Sequence, residues 1–238
     1  MKTLMPASGE IHVWRASLDQ PPSLVTEYFA SLSSDERERA ARFYFPRDRN
    51  HFTVCRGILR AILGRYLSVP PGKLRFRYNG HGKPLLAGKF GGDRICFNLS
   101  HSQGLALFAV TFGLSVGVDL ERIRFEMEVE HVAERFFSTR EVSTLRALPG
   151  HLRREAFFTC WTRKEAYVKA LGKGLSVPLD RFDVSLIPGE SAALLEMRGN
   201  PREASRWWLQ ELSPGQDYVG ALAGEGHLAR LECWEWRH

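Results

Sequence analysis

The apolar positions of this chain change period several times, and each change marks an element. Glu10 to Leu18 (EIHVWRASL) alternates apolar and polar side chains, the period-two signature of a half-buried strand, and Pro21 and Pro22 close it. A helical stretch is expected from about Leu24. Ser33 or Ser34, ahead of DERERAARF, offers an N-cap with acids in the first turn of the next helix. After Pro46, from His51 to Leu67, apolar residues recur at Val54, Ile58, Ala61, Ile62 and Tyr66, a helical stripe that Pro70, Pro71 and Gly72 stop. A strand over Lys73 to Tyr78 and a Gly-rich turn, NGHGKP (Asn79 to Pro84), follow.

Three strand-like runs come next: Arg94 to Leu99, Leu105 to Phe112 and Val116 to Glu121. The short SHSQG and GLS connections between them predict antiparallel pairing in a meander. Glu128 to Leu148 reads as helix with a break near Ser138, whose hydroxyl is placed to cap a second helix with Glu141 three residues on. A loop at Pro149 and Gly150 leads into a helix and exit over Phe157 to Leu175, ended by Gly172 and Gly174. The remainder reads mostly as strands, from RFDVSLI at Arg181 to ARLECWEW at Ala229.

Two of these stretches echo one another. FTVCRGILRAILGRYLSVP (Phe52 to Pro70) and FTCWTRKEAYVKALGKGLSVP (Phe158 to Pro178) share FT, a basic amphipathic helix and LSVP. An RF segment precedes each, at Arg42 and Arg135, and a strand follows each. The echo predicts an α+β chain of two similar antiparallel-sheet-plus-helix halves, residues 1–112 and 113–238, with a cleft at a pseudo-twofold seam.

Composition adds bounds. The chain has 238 residues, 44% of them apolar, enough to bury a sizeable core. No run of about 18 apolar residues occurs, and the start MKTLMPASGEIHVW lacks the apolar stretch of an export signal, so a cytoplasmic protein without a membrane partner is expected. Cys55, Cys96, Cys160 and Cys233 are scattered without a CxxC pair and read as buried thiols rather than a disulfide framework or zinc site. A net charge of +6 favours a polyanionic partner, but nucleic acid, anionic lipid, a phosphorylated cofactor and an acidic protein all qualify.

Candidate chemistry lies in two stretches. In VGVDLE, strand alternation puts Asp119 and Glu121 on one side, and on the later helix Glu165 and Lys169, four apart, share a face. Three acids and a lysine from two elements suit a hard cation and a phosphate if the fold brings them together, and no His/Cys cluster competes for a softer metal. Each piece alone has a plainer reading. A lone DxE is more often a solvent edge, Lys164, Lys169 and Lys173 serve solubility and the helix dipole, and Lys83 and His101 read as loop residues. The absence of GxxxxGK[ST], a strand-GxGxxG-helix unit and GxSxG removes nucleotide hydrolysis, dinucleotide redox and serine hydrolase chemistry.

Taken together, VGVDLE, RFFSTRE and FFTCWTRKEAYVKALGKGL resemble the signature of the 4′-phosphopantetheinyl transferases. The upstream GHGKP and FNLSHS resemble its larger, surfactin-synthetase-activating (Sfp-type) branch. The likeness runs from Arg39 to Phe182, and the strands beyond carry no matching motif. It implies a pseudo-dimer of two α+β halves that transfers the 4′-phosphopantetheine arm of coenzyme A to a serine of an acyl or peptidyl carrier protein, releasing 3′,5′-ADP. It places Mg²⁺ on Asp119, Glu121 and Glu165, with Glu165 accepting the serine proton and Lys169 meeting the pyrophosphate. Coenzyme A falls to Arg39 at the 3′-phosphate, to Gly82, Lys83 and Pro84, to Ser100 and His101, and to Lys164 beside Glu165. Glu141 matches an acid of the RFF segment, and Glu36 departs from a relative's second lysine. The implied partners are coenzyme A and a carrier protein, with no nucleic acid, no membrane and a monomeric chain. Phe125 and Met127, in the loop from Glu121 to Val132, are the candidate carrier contact. Two rivals stand beside this reading. One is a basic nucleic-acid-binding module, needing Trp207, Trp208, Trp234 and Trp236 on one basic face; the other is a scaffold that binds coenzyme A or carrier without turnover.

Overall fold

The structure, a computed structural model, describes residues 5–88 and 94–238. Its first unit runs β1 (Glu10–Ser17), α1 (Pro22–Ser31), α2 (Ser34–Ala41), α3 (Pro46–Leu67), β2 (Phe76–Tyr78), β3 (Pro84–Leu86), β4 (Ile95–Ser102) and β5 (Leu105–Phe112). The second repeats that order: β6 (Val116–Arg122), α4 (Val129–Phe136), α5 (Thr139–Ala147), α6 (Gly150–Leu171), β7 (Phe182–Val184), β8 (Leu194–Met197), β9 (Trp207–Leu212) and β10 (Tyr218–Glu225). Strand β11 (Arg230–Glu235) ends the chain. Within each unit the sheet order is the same, β1-β5-β4 and β6-β10-β9, and the hairpins β2-β3 and β7-β8 correspond. The echo in the sequence is therefore two copies of one α+β unit. Each contains a 22-residue helix, started by Pro46 in the first copy and by Gly150 after Pro149 in the second.

Two expectations about the strands are corrected. Of the predicted meander, only β4 and β5 pair through their backbones; β6 joins the second sheet and pairs with β10. Beside β4 it is held by side chains instead. Asn98 Oδ1 accepts from the Val118 N–H at 2.9 Å, Ser100 Oγ donates to Asp119 at 2.8 Å, and Ser102 Oγ donates to Glu121 at 3.0 Å. Polar groups at every second position of β4 thus replace a backbone ladder across the seam. The final strand also crosses the expected boundary at residue 113. β11 pairs parallel to β1 and packs Trp234 and Trp236 on Trp14, so the C-terminus completes the first sheet.

Apolar residues fill the space on both sides of the seam. Ile58 and Ile62 of α3 pack with Phe97 and Phe108, and Phe157, Phe158 and Tyr167 of α6 pack with Phe182 and Trp207. Between the two sheets Val116, Val118 and Leu120 meet Ile11, Val13 and Leu107. Cys55 and Cys160 are buried and Cys96 half-buried, but Cys233 is exposed on the edge strand β11, against the expectation of four buried thiols.

Each unit also contains one buried ion pair of the same design. Glu36 accepts the N–H of Ser33 at the start of α2, pairs with Arg60 at 2.6 Å, and Arg60 donates on to the carbonyls of Pro71 and Leu74. Glu141 accepts the N–H of Ser138 at the start of α5, pairs with Lys164 at 2.8 Å, and Lys164 donates on to the carbonyls of Leu179 and Phe182. In both units a capping acid is thereby tied to the long helix and to the loop beyond it.

Candidate active site

Gly117 sets the geometry. A Cβ at this position would lie 2.1 Å from the carbonyl oxygen of Ala166 and 2.4 Å from the nitrogen of Ala170, so only a bare backbone allows β6 to rest on α6. Strand alternation then turns Asp119 and Glu121 toward the face of α6 that carries Glu165 and Lys169. Across the seam, Lys169 Nζ lies 2.6 Å from Asp119 Oδ1 and 3.0 Å from Ser100 Oγ.

Asp119 is 3% exposed, and its second oxygen, Oδ2, is buried without a hydrogen-bond partner among the described residues. Burial and the charge of Asp119 raise the carboxyls of Glu121 and Glu165 above the ordinary range; Glu121 raises Glu165 further and Lys169 opposes both effects. The three acids therefore stand in one another's field. Their oxygens are the hard donors Mg²⁺ prefers, and that ion commonly takes one or two carboxylates and fills its shell with water and phosphate oxygens. With Lys169 holding Asp119, no group of three acid, histidine or cysteine side chains among the described residues is arranged to hold an ion unaided. The orphaned Oδ2 and the repelled carboxyls fit a cation whose other ligands come from substrate and water.

A cleft of about 350 Å³ opens beside this cluster, lined by Arg39, Gly82, Lys83, Pro84, His101 and Lys169 among others. Arg39 lies 5.5 Å over the Phe52 ring, exposed at the cleft and at the depression that adjoins it. His101 is exposed, yet the surrounding protein, with Lys169 and His51 adding positive charge, holds its imidazole below the usual value. Ser100 faces Asp119 and Lys169 rather than the open cleft.

Lys164, predicted to bind coenzyme A, lies away from the cleft. It is fully buried, and its ammonium is consumed by Glu141, Leu179 and Phe182 on the far side of the helix. Glu141 is its partner and a helix cap. Glu36, the departure from the relative's lysine, is 1% exposed and turned onto Arg56 and Arg60. Sequence reading missed Asn98 and Ser102, which bind β6, and Arg56, Tyr78, Phe43 and Phe52, which line the cleft. The signal for the first two was present: N-x-S-x-S puts three polar groups on one side of a strand.

These features define a class: a two-unit α+β protein with an acid–lysine cluster at the seam, beside a cleft walled by cationic and aromatic side chains. The comparisons agree on the family. The model of the 4′-phosphopantetheinyl transferase superfamily matches residues 115–223, and that of the 4′-phosphopantetheinyl transferase N-terminal region matches residues 14–112. The chain is 45% identical over 229 residues to the 4′-phosphopantetheinyl transferase HetI of a Nostoc species, covering 96% of this chain and 93% of that one. It is 31% identical to the 4′-phosphopantetheinyl transferase Sfp of Bacillus subtilis (67% and 68% covered). It is 30% identical to the human L-aminoadipate-semialdehyde dehydrogenase-phosphopantetheinyl transferase (81% and 67% covered). The chain belongs to the 4′-phosphopantetheinyl transferase superfamily.

Proposed function

We propose that this protein transfers the 4′-phosphopantetheine arm of coenzyme A to a serine of an acyl or peptidyl carrier protein, releasing 3′,5′-ADP. The observation that carries the reading is the Asp119–Ser100–Lys169 triangle, with its unpartnered Asp119 Oδ2, beside a cationic cleft. A bond of the pyrophosphate of coenzyme A breaks as the serine oxygen bonds to the phosphopantetheine phosphorus and 3′,5′-ADP leaves, so the site must gather positive charge where negative charge builds up. Lys169, anchored at Asp119, stands ready to meet the departing phosphate and to stabilise or protonate it. Glu165, whose carboxyl is raised above the ordinary range by burial and by Asp119, would accept the serine proton. Asp119, Glu121 and Glu165 would hold a Mg²⁺, which supplies charge neutralisation at the pyrophosphate.

Arg39 and His101 suit the anionic end of coenzyme A, since a guanidinium presents several donors to phosphate oxygens. The net charge of +6 would steer both the coenzyme and an acidic carrier. Phe125, 71% exposed between β6 and α4 with Arg154 5.9 Å from its ring, is the proposed carrier contact. We place the activity in the cytoplasm and in a monomer, because both units of the repeat lie in one chain. Among the described residues no helix is long and apolar enough to cross a membrane. The nucleic-acid alternative needs a stacking face, whereas Trp207 is packed on Tyr167, and Trp234 and Trp236 on Trp14.

The test incubates apo fatty-acid, polyketide and peptide-synthetase carriers with coenzyme A, Mg²⁺ and this protein and reads intact carrier mass. A gain of one phosphopantetheine is expected. No gain on any carrier would overturn the reading, and would leave the binding scaffold if coenzyme A still raised the melting temperature.

A further inference from the structure

The GHGKP turn does something in this fold that its place beside the cleft does not require. Asn79 Oδ1 accepts the N–H groups of His81 and Lys83, each at 2.9 Å, which fixes the turn. The same turn then reaches across the seam into the second unit. Asn79 Nδ2 donates to the carbonyl of Gly172 at 2.7 Å, and Lys83 Nζ donates to the carbonyls of Lys169 at 2.6 Å and Val116 at 3.0 Å. Lys169 and Gly172 lie at the C-terminal end of α6, where the last carbonyls lose their regular helical partners; that of Lys169 accepts the Gly172 N–H at 3.2 Å and has room for a second donor, a role a lysine suits. Val116 opens β6. One ammonium therefore ties together the two elements that carry Asp119 and Lys169.

The fit is close on both sides. Gly172 has φ +68° and Gly174 φ +53°, and a Cβ on Gly174 would come within 3.1 Å of His81 Cβ. The helix exit is bare where the turn packs. With two of its protons on carbonyls, the ammonium of Lys83 is committed to the protein.

We propose that Lys83 is a positioning residue: with Asn79 it clamps the end of α6 to the start of β6 and so sets Lys169 against Asp119, rather than serving as a phosphate ligand.

Two measurements on the full chain test this, and only the first rests on the transferase reading. In carrier modification, Lys83→Met lowers kcat about tenfold while KM for coenzyme A stays within about twofold, the signature of lost geometry rather than lost binding. Asn79→Ala, which keeps the ammonium, gives the same pattern, and the double variant is no worse than about twofold below the weaker single one because both break one clamp. In amide hydrogen exchange without substrate, Lys83→Met speeds exchange at residues 169–174, and calorimetry gives a Kd for coenzyme A within about twofold of the parent. A rise of about tenfold in KM or Kd for coenzyme A with kcat unchanged would make Lys83 a ligand and overturn the proposal. Unchanged exchange at the end of α6 would overturn it too, even if no carrier is ever modified.

Discussion

Replacing Gly117 by alanine adds one methyl group at the point where strand β6 touches helix α6. Its Cβ would meet the Ala166 carbonyl oxygen at 2.1 Å, the Ala170 nitrogen at 2.4 Å and the Ala170 Cα at 3.0 Å. All three are main-chain atoms of a 22-residue helix, so no side chain can swing aside. Real Cβ contacts under 3.0 Å essentially do not occur, so strand and helix must part by about 0.9 Å. Overpacking of this kind costs about 1–3 kcal/mol, or roughly 2–12 °C of melting temperature at this chain length. The chemical cost is of similar size. Asp119 is two residues along the strand and Lys169 is one residue before Ala170, and a displacement near 1 Å between reacting groups lowers rates about a hundredfold. Thermal melting and timed mass spectrometry of an apo carrier read the two effects separately. Transfer within about threefold of the parent, in a protein that melts normally, would refute the claim that this close approach builds the site.

Glu165→Gln is expected to abolish transfer while stabilising the ligand-free protein at pH 7. An acid whose pKa is raised on folding binds its proton more tightly when folded, so stability falls as pH climbs from about 4.5 through the raised value. Removing the charge removes that penalty, and an unchanged or lower melting temperature at pH 7 would contradict it. Lys164→Met should leave Glu141 buried and unpaired and cost about 3–5 kcal/mol. The folded fraction should keep its affinity for coenzyme A, and weaker coenzyme binding with normal melting would restore Lys164 to the cleft. Arg39→Ala should raise KM for coenzyme A about tenfold at similar kcat, consistent with one lost charged hydrogen bond; an unchanged KM would remove Arg39 from the site.

Periodicity exposed the elements well, because half-buried strands and amphipathic helices print their faces directly on the sequence. It could not expose partners. The run Val116 to Glu121 shows which side chains share a face, but its backbone partner, Tyr218–Glu225, lies about a hundred residues on and carries no mark of the pairing. The same holds for the parallel docking of β11 on β1. Lys164 was misplaced although helix geometry speaks against it: Glu165 and Lys169 differ by about 40° around the axis, whereas Lys164 and Lys169 differ by about 140°. Motif adjacency outweighed angle. Likewise, aligning the echo on FT sets Arg60 opposite Ala166, whereas the side chain that repeats its contacts is Lys164. Identity at the ends of a repeat does not track burial within it.

The correct register explains why the doubled fold builds the acid–lysine cluster in its second unit alone among the described residues. With Arg60 opposite Lys164, the position of Glu165 is taken in the first unit by Ala61 and that of Lys169 by Arg65. Arg65 lies 4.1 Å over the Trp236 ring. The outer edge of β6 faces β4 through side chains, beside the cleft that Lys169 lines, whereas the equivalent edge of β1 is closed by the backbone ladder of β11. The first unit thus lacks the helix acid, has its helix cation stacked on tryptophan, and has no open seam. Calorimetric titration of coenzyme A should accordingly give one site per chain. Two equivalent sites would mean that β11 does not close the second seam and that the asymmetry of the fold is not what confines the chemistry to Asp119, Glu165 and Lys169.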